Sequence, residues 1–128
     1  MITYTNNINL ISADMLGKFF VGWQKPLTAA EHYDILKRSY SFVAAIDGES
    51  GSVVGFITAL SDGLLTAYVS LLEVLPEYQN QGIGAELMQI MFKTLEHVRN
   101  IDLVCDEKLA GFYEKFDMHK YNSMIIRK

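Results

Sequence analysis

The hydrophobic pattern of this sequence changes at Gly82, and this change limits the folds that the chain can adopt. Before it, the segment LLTAYVSLLEVL (64–75) has the β-branched and aromatic character of a strand, which Pro76 ends because proline cannot donate to a strand ladder. After it, mostly apolar residues recur at steps of three and four, the spacing of one helix face, until a stop predicted at Asn100. The residues on that face are Ile83, Leu87, Ile90, Met91, Thr94 and Val98. A short apolar strand, IDLVC (101–105), follows, and the order strand–helix–strand predicts a parallel crossover.

The rest of the chain surrounds this unit with antiparallel strands and short helices. A first strand is predicted within ITYTNNINL (2–10), and two short helices follow it: MLGKFF (15–20), and one that a capping box of Thr28 and Glu31 opens. The segments SFVAAI, SVVGFITAL and the strand named above are separated by short, turn-rich loops, which predicts an antiparallel meander. A short helix, KLAGFYEKF, and a closing strand, YNSMIIRK (121–128), end the chain. The predicted order βααβββαβαβ indicates an α/β fold with a mixed sheet.

Composition disfavours several classes of function. The chain has 128 residues, which fits one domain, 1–128, and its net charge of −4 disfavours a nucleic-acid partner, because proteins that bind the phosphate backbone carry a basic surface. No apolar run approaches the ~20 residues of a membrane helix, and the N-terminal segment lacks the pattern of a signal peptide. Cys105 is the only cysteine, so no internal disulfide can form and a cytoplasmic location is expected. The three histidines are scattered without metal-ligand spacing, so no metal site is expected.

The glycine-containing segment QNQGIG, at the start of the long helix, is the first candidate for a binding site. A dinucleotide-binding fingerprint is excluded because Leu87 occupies its third glycine position, and a Walker loop is excluded because no lysine follows Gly84. The first amides of a helix have no internal partner and carry a partial positive charge, so they suit an anion such as a pyrophosphate. A plain strand-to-helix turn explains the spacing equally well at this point.

Two motifs in register resemble one family. The segment LLEVLPEYQNQGIGAELM is similar to motif A of the GCN5-related N-acetyltransferases (the GNAT superfamily), which has Q/R-x-x-G-x-G/A after a strand ending in V-x-P. The matching residues are Val74, Pro76, Gln79, Gly82 and Gly84. The segment DEKLAGFYEKFDM resembles motif B, N-x-x-A-x-x-F-Y-E-K-x-G-F, through Phe112, Tyr113, Glu114 and Lys115. It departs from motif B at Asp106, Leu109, Asp117 and Met118, where asparagine, alanine, glycine and phenylalanine are usual.

This resemblance implies a fold and an activity. The fold would be that of the acyl-CoA N-acyltransferases: a mixed, mostly antiparallel sheet with a splayed parallel pair of strands and flanking helices. The activity would be direct transfer of the acetyl group of acetyl-CoA to an amine, in a ternary complex, with a small molecule as the expected acceptor and no metal. Two alternatives stay open: a non-catalytic acyl-CoA sensor or interaction module, and an acetyltransferase acting on protein N-termini or lysines. The sequence does not fix the oligomeric state, and a homodimer is compatible with it.

The resemblance also implies which residues bind the cofactor. The main chain from Leu72 to Val74 would pair with the pantetheine arm, and the Val74 amide would donate to the thioester carbonyl. The amides that would hold the pyrophosphate are those of Gln79, Asn80, Gln81, Gly82, Ile83, Gly84 and Ala85. Asp106 and Tyr113 complete the expected cofactor contacts.

Catalysis requires an acid for the departing thiolate and a base for the amine. Tyr113 matches the family tyrosine that commonly serves as the acid, although an aromatic on a short amphipathic helix is also typical of a core. Glu73 is a charged residue inside the apolar strand LLEVL, so it could be the base or a residue on the open face of the strand. Relatives carry a glutamate earlier on this strand, where this chain has Tyr68. Asp106 is a further candidate base, although a helix N-cap is its more frequent role.

The acceptor pocket is expected at the bend between the two N-terminal helices. The resemblance implies that Phe19, Phe20 and Trp23 lie in its variable wall, with Tyr68 as a further candidate for contact with the acceptor. An aromatic wall with acidic groups would suit an amine with a hydrophobic or cationic body. The aromatics at the bend could equally be core residues, and this is more expected for Phe19 and Phe20 than for Trp23. Cys105 could be a nucleophile, but no partner histidine lies nearby in sequence, so an inert thiol is favoured.

Overall fold

A five-stranded mixed sheet forms the centre of the protein in the computed structural model, which describes residues 1–128. The strands lie in chain order, and neighbours from β1 to β4 are antiparallel, whereas β4 and β5 are parallel. The strands are β1 (Ile2–Thr5), β2 (Ser41–Asp47), β3 (Val53–Ser61), β4 (Thr66–Val74) and β5 (Asn100–Leu103). The helices are α1 (Ala29–Arg38), α2 (Ile83–Thr94) and α3 (Ala110–Glu114). The predicted α/β fold with a meander and one parallel pair is confirmed.

The capping box predicted for α1 is present. The Glu31 amide donates to Thr28 Oγ1 at 3.1 Å, and the Thr28 amide donates to Glu31 Oε1 at 2.9 Å. These bonds satisfy two amides that a helix end leaves free. The helix buries His32 and Leu36 against the sheet, where the His32 ring lies 4.2 Å from that of Phe56 on β3.

The long helix α2 covers the opposite face of the sheet. Its buried residues include Ile83, Leu87, Met88 and Met91, in agreement with the predicted stripe. The helix lies close against Gly55 on β3, where an added Cβ would lie 3.2 Å from Ile83 Cγ2 and 3.3 Å from Leu87 Cδ1. Because successive strand residues point to opposite faces, Gly55 faces α2 while Phe56 faces α1.

Strand β4 extends beyond the residues that pair with β5, so the two parallel strands separate. The parallel pairing begins at Thr66 and Asn100 and ends at Val69 and Leu103, whereas β4 continues to Val74. The pairing of β4 with β3 continues to Val74. It contains a bulge, because β4 has one extra, unpaired residue between Val69 and Leu71. The last residues of β4 therefore have β3 on one side and an open edge on the other. This is the splayed parallel pair that the resemblance implied.

Four predicted elements differ from the observed ones. The first strand ends at Thr5 rather than near residue 10, and a 3₁₀ turn over Ala13–Leu16 replaces the helix predicted over 15–20. The long helix ends at Thr94, and Asn100, predicted to stop it, is instead the first residue of β5. The closing strand predicted over 121–128 is absent, because this segment lies exposed without a strand partner. None of the helices has the length and apolar character that crossing a membrane requires.

Candidate functional site

The glycine segment presents a row of unpaired main-chain donors at the start of α2. None of the six amides from Asn80 to Ala85 donates a hydrogen bond within the protein. Gly82, the N-cap, has φ = 81°, a left-handed conformation that glycine adopts without strain, and Asn80 has φ = 64°. Free amides at a helix N-terminus bind anions, and the helix dipole adds to the attraction.

The open edge of β4 lies beside these donors. The Leu75 amide donates to the Val54 carbonyl of β3 at 2.9 Å. Because amides alternate in direction along a strand, those of Val74 and Leu72 point away from β3, towards the side that β5 has left. The Val74 carbonyl on this edge accepts a hydrogen bond of 3.0 Å from Gln79 Nε2. Gln79 therefore ties the glycine segment to the end of β4 through its side chain.

Helix α3 completes the arrangement. A Cβ built on Gly84 would lie 3.7 Å from Phe112 Cζ and 3.8 Å from Val74 Cγ2, so the start of α2, the end of β4 and α3 meet at this point. Tyr113 follows Phe112, is half-buried, and has its ring 5.0 Å from the Phe112 ring. Burial, and secondarily the electrostatic influence of the neighbouring Cys105 side chain, raises the pKa of Tyr113 above its usual value of 10. Tyr113 therefore holds its proton at neutral pH and can act as a donor.

A second contact holds the glycine segment in place, and no sequence pattern indicated it. The Tyr78 hydroxyl donates to Asp47 Oδ2 at 2.6 Å, which joins the 3₁₀ turn Pro76–Tyr78 to the end of β2. The hydrogen bond from Tyr78 is the main reason why the pKa of Asp47 lies below its usual value. These two residues lie 31 positions apart in the chain, and neither belongs to a recognisable motif.

Glu73 faces the N-terminal part of the chain. Its carboxylate accepts hydrogen bonds from the Phe20 amide, at 2.9 and 3.0 Å, and from the Val21 amide, at 3.3 Å. Phe20 has φ = 65°, so the chain turns sharply where the carboxylate receives these donors. Glu73 thus fixes the bend between the 3₁₀ turn and α1, a long-range role that its position in a strand did not predict.

The aromatic residues of this bend divide into core and surface. Phe19 and Phe20 are buried at 7% and 3% exposure, and both rings pack against His32 and Phe56. Phe19 and Phe20 are therefore core residues, so Phe20 does not offer the exposed wall for which it was also a candidate, and Trp23 is the exposed aromatic at 49%.

Tyr68 lies on the same face of the sheet as Glu73. Residues opposite each other on neighbouring strands share a face, and the pairs here are Phe56 with Glu73 and Leu60 with Tyr68. Phe56 and Leu60 are four residues apart on β3, so all four side chains point to the α1 side. Leu60 and Tyr68 are 50% and 40% exposed, so this part of the face is accessible to solvent. Together with Trp23 they provide exposed apolar surface on the Glu73 side.

The remaining candidates lie at the carboxyl end of β5. Asp106 is at the N-cap position of a 3₁₀ turn, Glu107–Leu109, and its side chain makes no capping hydrogen bond. Cys105 is a half-buried free thiol. No group of three or more His, Cys, Asp or Glu side chains is arranged to hold a metal ion. Two surface depressions of about 250 and 380 Å³ adjoin α1 and contain none of the candidate residues.

Comparison with known proteins points to the family that the two sequence motifs resemble. The sequence model of the Acetyltransferase (GNAT) family matches residues 9–118. The uncharacterized N-acetyltransferase ycf52 of Porphyra purpurea is 30% identical over 124 residues, which cover 93% of this chain and 70% of that protein.

Comparison with solved structures also finds acetyltransferases. A crystal structure of a candidate acetyltransferase from Deinococcus radiodurans has a TM-score of 0.96 and 36% identity, and the match covers 99% of this chain and 88% of that one. A GNAT family acetyltransferase from Streptococcus pneumoniae has a TM-score of 0.81 and 28% identity, with 100% of this chain and 98% of that one covered.

Proposed function

This chain belongs to the GNAT family of acetyltransferases, and from that premise we propose that it is an enzyme that transfers the acetyl group of acetyl-CoA to the amine of a small molecule. The observation that carries the proposal is the row of six free amides from Asn80 to Ala85 beside the open edge of β4. A pyrophosphate needs several donors and a positive field, and the start of α2 offers both. The pantetheine arm needs an unpaired strand edge, which the residues from Leu72 to Val74 offer.

The proposed chemistry uses one donor and one acid on this chain. The amine nitrogen attacks the thioester carbonyl carbon, and the Val74 amide donates to the oxygen that becomes negative; one such donor is worth roughly 10²–10³ in rate. As the tetrahedral intermediate collapses, the carbon–sulfur bond breaks and Tyr113 gives its proton to the CoA thiolate. Tyr113 carries this proton at neutral pH, because its pKa lies above the usual value of 10.

A base must also remove a proton from the acceptor, because a primary amine has a pKa near ~10 and is mostly protonated at neutral pH. Glu73 is the proposed base, acting directly or through a water. Its carboxylate accepts three hydrogen bonds from the bend, which leaves a lone pair for a proton. The proposed acceptor surface lies on the same face, between Tyr68 and Trp23, and suits an amine that carries an apolar or cationic body.

Cofactor binding is tested with a matched pair of charge substitutions. Gln81 is exposed beside the free amides, whereas Gln89 is exposed farther along α2. Gln81→Glu places a carboxylate next to the proposed pyrophosphate, so its affinity for acetyl-CoA should fall by roughly three- to tenfold, while Gln89→Glu should change it little. The measurement is the rise in melting temperature with acetyl-CoA, since a ligand at ~100 times its dissociation constant adds ~2.7 kcal/mol to the free energy of unfolding. If acetyl-CoA does not stabilise the unmodified chain, the cofactor assignment is wrong.

Turnover separates an enzyme from a sensor. The sensor alternative draws support from Glu73, whose carboxylate is already bound by the bend. Release of free CoA thiol with a panel of small amines should exceed the rate without amine, and Tyr113→Phe should lower kcat by roughly 10²-fold while acetyl-CoA still raises the melting temperature. Stabilisation by acetyl-CoA without thiol release for any amine would instead favour the sensor. Release only with a peptide amine would favour a protein acetyltransferase.

A further inference from the structure

The face of the sheet proposed for the acceptor carries a second carboxylate, that of Asp102 on β5. Tyr68 on β4 is opposite Asp102 in the parallel pairing, so the two side chains are neighbours on the same face. A hydrogen bond of 3.4 Å from Thr66 Oγ1 to Asp102 Oδ2 agrees with this, because residues two apart on a strand share a face. Asp102 therefore lies on the α1 side of the sheet, as Glu73 and Tyr68 do.

The Asp102 carboxylate is open to solvent and has no cationic partner. Exposed and half-buried residues alternate along β5 and just beyond it, and the exposed ones are Asp102, Val104 and Asp106. Asp102 thus lies on the side of β5 that faces solvent. The one ion pair of the chain joins Lys120 to Glu107, so no cation of the chain pairs with Asp102.

The three strands that form this face carry no positive charge. β3, β4 and β5 contain neither lysine nor arginine, and the same holds for the whole segment from residue 39 to residue 92. The bend contributes Lys18 and Lys25, which are exposed and form no ion pair. The strands therefore present two carboxylates, those of Glu73 and Asp102, without a compensating charge, and such a surface attracts cations.

The two carboxylates lie far apart on the face. Glu73 and Tyr68 are five residues apart on β4, and one of these is the extra residue of the bulge, so their Cα atoms are separated by ~13 Å at ~3.3 Å per residue. Asp102 is one strand spacing, ~4.8 Å, to the side of Tyr68. Between the two carboxylates lies Leu71, a half-buried apolar side chain on the same face. A single ammonium group cannot contact both carboxylates, whereas an apolar chain with a cation at each end can.

We propose that the acceptor is a dicationic amine, such as a linear diamine, whose second cationic group binds Asp102 and Tyr68 while its reacting amine lies at Glu73. The inference rests on the proposed function, since it assigns the far end of the same substrate. The Asp102 carboxylate would accept hydrogen bonds from the second ammonium, and the Tyr68 ring would attract its charge. The methylenes between the two cations would contact Leu71. Asp102 is therefore a specificity-determining residue and takes no part in the transfer itself.

Matched amines test this second-cation site. Straight-chain diamines of three to eight carbons are compared with primary monoamines of the same length, and kcat/KM is measured from the release of free CoA thiol. In the parent chain the longer diamines should exceed their monoamines by roughly three- to tenfold through a lower KM, the gain expected from one exposed ion pair and one cation–π contact. The shortest diamine should show no such advantage, because it cannot span the distance between the two carboxylates.

Substitutions of Asp102 assign the effect to its charge. Asp102→Asn should bring the ratio of diamine to monoamine kcat/KM close to one, and Asp102→Glu should restore most of it. Asparagine keeps an oxygen for the Thr66 hydroxyl at an exposed position, so this variant should fold. The matched control is Glu96→Gln, which removes an exposed carboxylate in the turn after α2 and should keep the parent ratio. Added salt should lower the ratio in the parent chain, because it screens exposed charges.

Long diamines that are no better than their monoamines would refute the site. An Asp102→Asn variant with the parent ratio, or an equal loss in Asp102→Asn and Glu96→Gln, would refute it as well. If no amine releases thiol, the proposed reaction is wrong, and calorimetric titration of the same amines into the chain, with and without CoA, then decides on the site alone. Tighter binding of the long diamine that Asp102→Asn abolishes would support the site without the reaction, whereas equal binding of diamine and monoamine would overturn both.

Discussion

At the level of single residues, the anchoring contacts of Glu73 and its proposed role as a base can be separated experimentally. Its carboxylate holds the bend through the amides of Phe20 and Val21, and it lies on the face proposed for the acceptor. Removing its charge would affect a base and an anchor in different ways. Loss of a base slows removal of the proton from the amine. Loss of an anchor changes the shape of the surface that binds the amine.

Glu73→Gln is the substitution that distinguishes the two tasks. If Glu73 is the base, kcat should fall by roughly 10²-fold at pH 7 and recover as the pH rises, because the amine then loses its proton to solvent. If Glu73 acts only as an anchor, the KM for the amine should rise to a similar extent at every pH, since glutamine keeps a single oxygen for the Phe20 and Val21 amides. The measurement is the pH profile of kcat and KM for both proteins, and a variant with unchanged kinetics would exclude both roles.

The two glycines of motif A also differ at this scale. Gly82 needs its left-handed φ of 81°, so any other residue there strains the start of α2. Gly84 has room for a Cβ at ordinary contact distances from Phe112 and Val74. From the sequence both glycines had the same explanation. Backbone conformation and packing distinguish them: Gly82 shapes the turn, whereas Gly84 keeps space beside β4.

At the scale of elements, the position of α2 depends on Gly55. The Ile83 and Leu87 side chains meet β3 where a Cβ would lie within 3.2–3.3 Å of them. Gly55→Val should push the start of α2 away from the sheet and lower the free energy of unfolding by roughly 1–3 kcal/mol, the usual cost of overpacking. It should also weaken acetyl-CoA binding, since the free amides move with the helix. Urea unfolding and the ligand-induced shift in melting temperature measure the two effects.

Gly111 offers the control for that substitution. It lies in α3, and a Cβ there meets nothing within 4 Å. Gly111→Ala should therefore leave stability unchanged or raise it by up to ~1 kcal/mol, the difference in helix propensity between the two residues. A Gly55 variant as stable as the Gly111 variant would show that Ile83 and Leu87 can move aside without cost.

Elements that depend on local sequence were predicted, and those that depend on distant contacts were not. The α1 capping box and the buried stripe of α2 follow from residues three and four apart, and both are confirmed. The bend at Phe20 instead depends on Glu73, 53 residues away, so a helix was predicted where the chain makes a turn. Residues 121–128 have the composition of a strand, but a strand also needs a neighbouring strand, which composition does not reveal.

At the scale of the whole molecule, stability should depend on the protonation of His32. This side chain is fully buried, neither ring nitrogen has a hydrogen-bond partner, and Phe19, Phe20 and Phe56 surround the ring. Burial lowers the pKa of His32 from 6.5 to about 4. The folded chain therefore keeps His32 neutral at pH values where the unfolded chain already binds a proton.

The sign of the pH effect follows from that difference. Well above pH ~6.5 neither state binds the proton, so protonation of His32 does not affect stability. As the pH falls from ~6.5 towards ~4, only the unfolded state gains the proton, and the free energy of unfolding drops by roughly 1.4 kcal/mol per pH unit, about 3 kcal/mol in all. His32→Phe should remove this part of the acid dependence and stay within ~1 kcal/mol of the parent chain at pH 8, because it deletes two unpaired polar atoms. The control is His119→Gln, since His119 is exposed and the variant should keep the parent slope. Urea unfolding of the three proteins between pH 4.5 and 8 measures the slopes, and an equal acid dependence of parent and His32 variant would mean that His32 does not govern it.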